Sequence, residues 1–296
     1  MTNDALEFAL FGNTYQEKNE QAIRQTLCCL ASHGARVHID RPFYRWLVQE
    51  GLMEHEADTF DGDRFSAHFA LSLGGDGTFL KAAGRVGAKP IPIVGINMGR
   101  LGFLADVMPD EVEGALGEIF AGQFSLEAHA VIEVEVDGET FDGNPFAVND
   151  VAVLKRDNAA MISIHASING EELVTYQADG LIVATPAGST AYSLSNGGPI
   201  IVPGTHSFIL TPVAPHSLNV RPIVVSDDVC IELRVESRSH CYLVAVDGRS
   251  RPLTEGATIR LRKAPYAVQL VRRQGQSYFA TLRNKMMWGA DRRTPF

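Results

Sequence analysis

The stretch Gly74-Gly75-Asp76-Gly77-Thr78 has residue types and spacing that could do chemistry. It follows the apolar run Phe69-Ala-Leu-Ser-Leu73 and precedes the helix-like start at Phe79-Leu80. A strand, a glycine turn and a helix N-terminus together make an anion site. Glycines let backbone approach phosphate closely, and free N–H groups with the helix dipole favour negative charge. One acid in such a turn is odd for a pure phosphate cradle. A carboxylate beside phosphates costs electrostatic energy unless it binds a metal or takes a proton, and both tasks belong to phosphoryl transfer. Read alone, the same residues also suit a tight turn with Asp as a turn former. No G-x-x-x-x-G-K-[ST] is present, and no G-x-G-x-x-G stands at the first βα turn, which argues against a Walker-type kinase and a dinucleotide-dependent dehydrogenase.

Further stretches have chemical potential. Asn149-Asp150 opens the strand-like run Val151 to Leu154. An amide beside a carboxylate can hold two neighbouring sugar hydroxyls, donor and acceptor together, whereas spacing alone favours a turn or strand edge. Asp179 to Gly198 contains the apolar run Leu181 to Ala184, then Thr185-Pro186 and a series of small hydroxyl residues. Gly188, Ser189, Thr190, Ser193 and Ser195 offer hydroxyls and N–H groups without bulk. Tyr192 can stack on a ring, and Asp179 can accept from a hydroxyl or amide. Such a run suits a polar nucleotide better than an apolar core. Gly95 to Asp106 carries three glycines and an Asn, as if backbone were brought close to something; by itself it also reads as a connecting loop. In Thr211 to Pro222, three prolines set an extended path on which His216 and Arg221 could meet phosphates. A lone His is more often structural, so His216 and His165 stay outside the candidate set. Arg260, Arg262, Lys263, Arg272 and Arg273 read as solvated strand faces.

These stretches need elements to hold them. In the first third, Leu6 to Phe11, Arg36 to Ile39, Phe69 to Leu73 and Ile91 to Ile96 read as strands. Gln21 to Leu30, Tyr44 to His55 and the stretch from Phe79 read as helices. Apolar runs alternating with helical patterns predict βαβ units and a parallel sheet. From about Gln123 the period becomes two. Val131 to Val136 meets Asp137-Gly138, and Ile162 to Ile168 meets Asn169-Gly170, both hairpin signals because type I′ turns need two positive φ values. Ile231 to Val235, Tyr242 to Val246, Thr258 to Leu261 and Val268 to Val271 continue the pattern. The expectation is an α/β, Rossmann-like domain over 1–125, rejoined by 277–296, and a β-rich, mostly antiparallel domain over 126–276.

The chain's 296 residues are comfortable for two domains, and 45% hydrophobic with 21% charged residues is ordinary for a globular protein. A net charge of −9 argues against a nucleic-acid binder, which needs a basic face. Cys28, Cys29, Cys230 and Cys241 form neither a disulfide framework nor a zinc site. With no basic leader and no long apolar run, the chain reads as cytoplasmic, with no membrane span.

Taken together, GGDGT at 74–78, GINMGRLGFL at 95–104, ND at 149–150, DGLIVATPAGSTAYSLSNGGP at 179–199 and PHSLNVRP at 215–222 resemble the bacterial NAD kinase family, with a weaker echo at Asp247-Gly248. The resemblance implies transfer of the γ-phosphoryl of ATP to the adenosine 2′-hydroxyl of NAD, giving NADP and ADP. It implies Mg²⁺, or another divalent cation, arriving with ATP, since no protein metal cage is visible. It also implies a homodimer or homotetramer. Asp76 matches the general base, with Gly77 beside it. Gly74, Gly75, Gly77 and Thr78 match the loop that meets the donor phosphates. Asn149 and Asp150 match the ribose-holding pair, and Asp179 a further NAD contact. Thr190, Ala191, Tyr192, Ser193, Leu194 and Ser195 match the NAD pocket lining. Gln177 stands where many relatives carry Arg, at a position linked to discrimination between oxidised and reduced cofactor, so NADH use is open. Ala187 replaces a hydroxyl residue, Arg249 stands where some relatives have Gln, and Ala160 can offer only backbone. The rivals are a lipid-type kinase, a phosphofructokinase-type enzyme and a non-enzymatic dinucleotide-sensing protein. They would call for, respectively, an apolar cleft, a segment other than the Thr185–Tyr192 run, and loss of the acid at position 76.

Overall fold

The structure is a computed structural model describing residues 5–14, 19–53, 56–99, 102–137, 143–156 and 160–289. His55, Arg100, Leu101, Gly138 and residues 290–296, which enter the expectations above, lie outside the described residues. The chain forms two compact units, Met1–Ala128 with Gln269–Phe296, and His129–Val268.

The first unit opens with β1 (Glu7–Gly12), α1 (Glu20–Ser32), β2 (Arg36–Asp40), α2 (Arg41–Gln49), β3 (Asp58–Phe60), β4 (Phe69–Gly74), α3 (Asp76–Val86), β5 (Ile93–Asn97) and α4 (Val112–Phe120). These strands lie in the order β5-β4-β1-β2-β3, all parallel. Parallel strands are covered on both faces, so they read as continuous apolar runs. Every residue of β4 is accordingly buried. Phe8, Leu10, Ile39 and Leu71 are fully buried in a core that α1, α2 and α4 close. Helix α2 starts earlier than its apolar pattern does, because Pro42 in its first turn supplies the helical φ and needs no N–H partner.

Strand β6 (Phe124–Val136) leads into the second unit. There follow β7 (Phe146–Ala147), β8 (Asp150–Lys155), β9 (Ile162–Ile168), β10 (Glu171–Ala178), β11 (Gly180–Ala184), α5 (Tyr192–Ser195), β12 (Ser207–Val213), β13 (Ile223–Ser226), β14 (Ile231–Glu236), β15 (Cys241–Val246) and β16 (Arg249–Thr254). Next come β17 (Thr258–Arg273), whose last residues belong to the first unit, and α6 (Tyr278–Met286). The two expected runs at 258–261 and 268–271 are one strand. Its start pairs antiparallel with β14, and Leu270 pairs parallel with Ile93 of β5.

In the second unit β10, β9, β14 and β17 form one antiparallel group, and β13-β12-β11-β8-β15-β16 form a six-stranded antiparallel sheet. Alternate residues of both groups, among them Ile162, Ile164 and Leu233 from one and Val153, Val183 and Val244 from the other, share a single core. The opposite face of the six-stranded sheet is apolar too: Ala152, Ile182 and Ile209 form a second cluster on which Ile201 packs. Both faces being covered explains why Leu181 to Ala184 is an unbroken apolar run rather than an alternating one. The Asn169-Gly170 turn joins β9 to β10 with φ of 52° and 83°, as the hairpin signal required. Among the described residues no helix is long and apolar enough to cross a membrane.

Candidate active site

In the first unit the chain passes from β1 to β2 on one side and returns from β4 to β5 on the other, so the order reverses between β1 and β4. Ligands of open α/β sheets bind at the carboxyl ends of the strands at such a switch point. A cavity of about 510 Å³ lies there, lined by Asn13 and Thr14 after β1 and by Gly75, Gly77, Thr78 and Lys81. Helix α3 begins at Asp76, three residues before its apolar pattern, so the second half of the glycine turn is the first helical turn. Gly75 is its N-cap, and Thr78 folds back so far that a Cβ on Gly74 would lie 2.2 Å from its Oγ1. Asn13 and Thr14 were not among the sequence candidates. Their one signal is the Gly-Asn pair directly after the first strand, a common turn.

The glycine-rich stretch from Gly95 has found what its backbone approaches: it is Asp76. Oδ1 accepts the N–H groups of Leu104 at 3.0 Å and Ala105 at 2.9 Å, and Oδ2 that of Phe103 at 3.1 Å. Lys285 Nζ of α6 stands 3.4 Å from Oδ2. Position 102 has to be glycine, since a Cβ there would lie 2.1 Å from Asp76 Oδ1. The loop is itself fastened by buried Asn97, which donates to the Ala105 carbonyl at 3.2 Å and accepts from Gly99 N–H at 2.7 Å. Behind it Arg272 bridges Asp106 and, at 3.0 Å, Glu127. The side chain of Arg272 is only 12% exposed, so the expectation of a solvated strand face for this residue is corrected.

The second unit assembles another set. The β15–β16 turn places Asp247 and Gly248 at φ of 45° and 76°. Asp247 turns its carboxylate onto the strand start at β8, accepting N–H groups from Val148 at 2.9 Å, Asn149 at 2.8 Å and Asp150 at 3.2 Å. The Asn149 carbonyl accepts the Thr185 N–H at 2.9 Å, and Thr185 Oγ1 donates to Val148 at 2.5 Å. A Cβ on Gly188 would lie 2.0 Å from the Asn149 carbonyl oxygen. Asn149, Asp150, Thr185, Gly188 and Asp247 thus form one cluster. Asn149 Oδ1 is buried and has no hydrogen-bond partner among the described residues. Burial, then the charge of Asp247, pushes the Asp150 carboxyl up to about 7. Asp247 is raised by burial too, but its three N–H donors favour its ionised form, so of the two carboxyls Asp150 is the one that holds a proton as pH falls below about 7. The role of Asp247 was legible only as a faint echo, because its partners lie almost a hundred residues earlier in the chain.

The remaining residues lie elsewhere: Asp179 just before β11, Gln177 on β10 of the other strand group, and residues 190–195 in α5 and the turn before it. Ala184 pairs with Asp150 at one end of β11, while Asp179 precedes Gly180 at the other, so Asp179 is not beside the Asn149 cluster. Asp179 makes an ion pair with Lys155 at 2.7 Å. Gln177 donates to Ser163 Oγ at 2.8 Å, its carbonyl accepts the His216 N–H at 2.8 Å, and it lines a cavity of about 540 Å³ with Ala160, Met161 and Arg238. Thr190 Oγ1 donates to Ala187 at 3.2 Å, and Ser193 is buried with its hydroxyl 2.8 Å from that of Thr211. Ala191 and Leu194 are half-buried, and Tyr192 and Ser195 are exposed. Arg249 donates to the Phe146 carbonyl at 3.0 Å. Among the described residues no group of three or more His, Cys, Asp or Glu side chains could hold a metal ion.

A glycine turn at a switch point, with an acid at the first residue of the helix, defines a phosphate-handling α/β fold. The profile of the ATP-NAD kinase N-terminal domain matches residues 8–124, and that of the ATP-NAD kinase C-terminal domain matches residues 148–273. The chain belongs to the ATP-NAD kinase family. It is 52% identical to an NAD kinase of Bacteroides fragilis, over 97% of this chain and 100% of the relative, and 42% identical to one of Porphyromonas gingivalis, over 96% and 98%. Among solved structures, an Archaeoglobus fulgidus NAD kinase in complex with ATP has a TM-score of 0.73 at 27% identity, covering 95% of this chain and 99% of that one. A yeast NADH kinase complexed with NADH has a TM-score of 0.88 at 20% identity, covering 98% and 89%, a likeness of fold.

Proposed function

We propose that this chain transfers the γ-phosphoryl group of ATP to the adenosine 2′-hydroxyl of NAD, giving NADP and ADP. The observation that carries the reading is Asp76: an acid at the first residue of α3, in the turn that walls the switch-point cavity. The turn's N–H groups and the N-terminal dipole of α3 bind donor phosphate. Asp76 accepts the hydroxyl proton as the oxygen attacks phosphorus, a contribution of about 10²–10⁴ in rate. Asn149 and Asp150 hold the ribose diol, which selects the 2′-oxygen over the 3′, and in-line positioning supplies most of the remainder. Gln177 and Asp179, at the far end of β11 from Asp150, suit the other end of an extended dinucleotide.

Mg²⁺ keeps several waters and takes one or two carboxylates together with phosphates. Here it would arrive with the triphosphate, held by its phosphates and waters, which leaves Asp76 free as the base; no group of three or more His, Cys, Asp or Glu side chains among the described residues could hold it. When bound there with ATP, the ion neutralises phosphate charge. Gln177, a neutral side chain in its cavity, supports use of NADH as well as NAD. Exposed Ile223 and Val224 on the edge strand β13, together with exposed Leu218 and Val202, support a homodimer or homotetramer, which light scattering would read directly. The proposed location is the cytoplasm; among the described residues no helix is long and apolar enough to cross a membrane.

The test is incubation of the purified protein with NAD, ATP and Mg²⁺, with NADP detected by a strictly NADP-dependent dehydrogenase. Wild type is expected to form NADP, and Asp76→Asn to lose turnover while keeping NAD binding. Near-normal kcat in Asp76→Asn would remove the base assignment. Absence of NADP from the wild type, with NADH and polyphosphate also tried, would remove the reaction.

A further inference from the structure

The donor turn has a charge problem that its own residues do not solve. It presents one carboxylate to a triphosphate and carries no basic residue; Lys81, the next cation along α3, lies 3.9 Å from Asp40. The cation at Asp76 comes instead from 209 positions away in sequence: Lys285, in the last turn of α6, with Nζ 3.4 Å from Asp76 Oδ2. Two contacts fix it. The same ammonium stands 4.5 Å above the ring of Phe103, whose backbone N–H donates to the same Oδ2. The other end of α6 grips that ring as well, with Tyr278 at 6.0 Å between centroids. The Lys285 and Asp76 side chains are 31% and 30% exposed, so the pair is partly screened from water yet open to a ligand. The C-terminal dipole of α6 favours a cation at that position.

The two oxygens of Asp76 are not equivalent. Oδ1 is filled by two N–H donors, while Oδ2 takes one N–H and the longer contact to Lys285. A hydroxyl that gives its proton to Asp76 therefore reaches Oδ2, beside the ammonium. We propose that Lys285 is a positioning residue for phosphoryl transfer: its ammonium holds Oδ2 of Asp76 in place for the acceptor hydroxyl and balances the Asp76 charge against the incoming triphosphate. The assignment rests on the reading of Asp76 given above.

The experiment compares wild type, Lys285→Met, Lys285→Arg and, as a control on the same helix, Arg283→Met. Steady-state NADP formation and the thermal shift induced by MgATP are measured for each. Lys285→Met is expected to lower kcat by about 10- to 100-fold, the size of a hydrogen bond to a charged group, with KM for NAD unchanged within about twofold on the same scale. It is also expected to shrink the MgATP shift. Lys285→Arg restores most of both, and Arg283→Met leaves both unaltered. In an Asp76→Asn background the Lys285→Met change has no further effect on the MgATP shift, because the lysine acts through the carboxylate. Full activity of Lys285→Met overturns the proposal. So do equal losses in the Met and Arg variants, or a Met effect that persists without Asp76. If the wild type forms no NADP, the kinase reading fails on its own, and the MgATP shifts decide the role of Lys285: an unchanged shift in Lys285→Met overturns it.

Discussion

Replacing Asp150 by Asn should make the protein more stable above neutral pH. The carboxyl is raised from 3.8 to about 7, with burial the larger cause and the Asp247 charge the second. The sign follows from linkage. Below pH 4 the group is protonated in the folded and unfolded chains alike, and nothing is lost. Between pH 4 and 7 the unfolded chain releases the proton and the folded one retains it, so stability falls as pH rises; above 7 the penalty is constant. A shift of about three units corresponds to roughly 4 kcal/mol at full size. Asn keeps the shape and cannot ionise. Urea denaturation of wild type and Asp150→Asn at pH 4.5, 6, 7 and 8, followed by far-UV circular dichroism, isolates the Asp150–Asp247 pair, because groups not coupled to it cancel in the difference. The curves should lie within about 1 kcal/mol of each other at pH 4.5 and separate to about 2–4 kcal/mol at pH 8, the variant being the more stable. A constant difference across this range, or a less stable variant at pH 8, would refute the argument. The same variant should bind NAD more weakly by calorimetry, so that stability and ligand affinity move in opposite directions.

Three further outcomes follow from the geometry. Gly102→Ala puts a methyl group 2.1 Å from Asp76 Oδ1 and 2.6 Å from the Ala105 carbonyl, and should cost about 1–3 kcal/mol of stability. It should also lower kcat more than KM, and retention of both stability and kcat would show that the loop does not orient Asp76. Arg272→Met leaves Asp106 and Glu127 without their shared cation, a change expected to cost about 3–5 kcal/mol in urea denaturation. A loss below 1 kcal/mol, the range of an exposed ion pair, would mean that the pair is solvated. Gln177→Arg, which installs the residue that the family resemblance implies there, should lower the ratio of NADH to NAD turnover about tenfold, the value of one charged hydrogen bond; an unchanged ratio removes Gln177 as the discriminating position.

The features readable from the chain were those with a local cause. The all-buried β4 and the Asn169-Gly170 turn follow from neighbours a few residues apart, and both stand where the pattern put them. Strand β12 escaped notice because Pro212 and Pro215 suggested an extended connection; Pro212 stands at its end, where it pairs with Leu181. Strand β17 reads as two runs in the sequence because Lys263 to Ala267 breaks the alternation without ending the strand. In the site, Asp76 and the Asn149-Asp150 pair were visible as unusual residue types next to turns. Asp247 showed only as a weak echo and Lys285 not at all, since what defines them is a carboxylate or an ammonium delivered from a distant part of the chain, and no spacing rule reaches that far.

The turn at Asp247 joins two events that would otherwise be separate. Its carboxylate closes three consecutive amides at residues 148–150, so these amides cannot open to solvent one at a time; opening the hairpin releases all three together. Hydrogen exchange at Val148, Asn149 and Asp150 should therefore proceed at one common rate. A ligand seated on Asn149 would slow exchange at that position and, through the shared carboxylate, would also steady the loop between β15 and β16, so occupancy of the proposed sugar site would be recorded in the breathing of that hairpin.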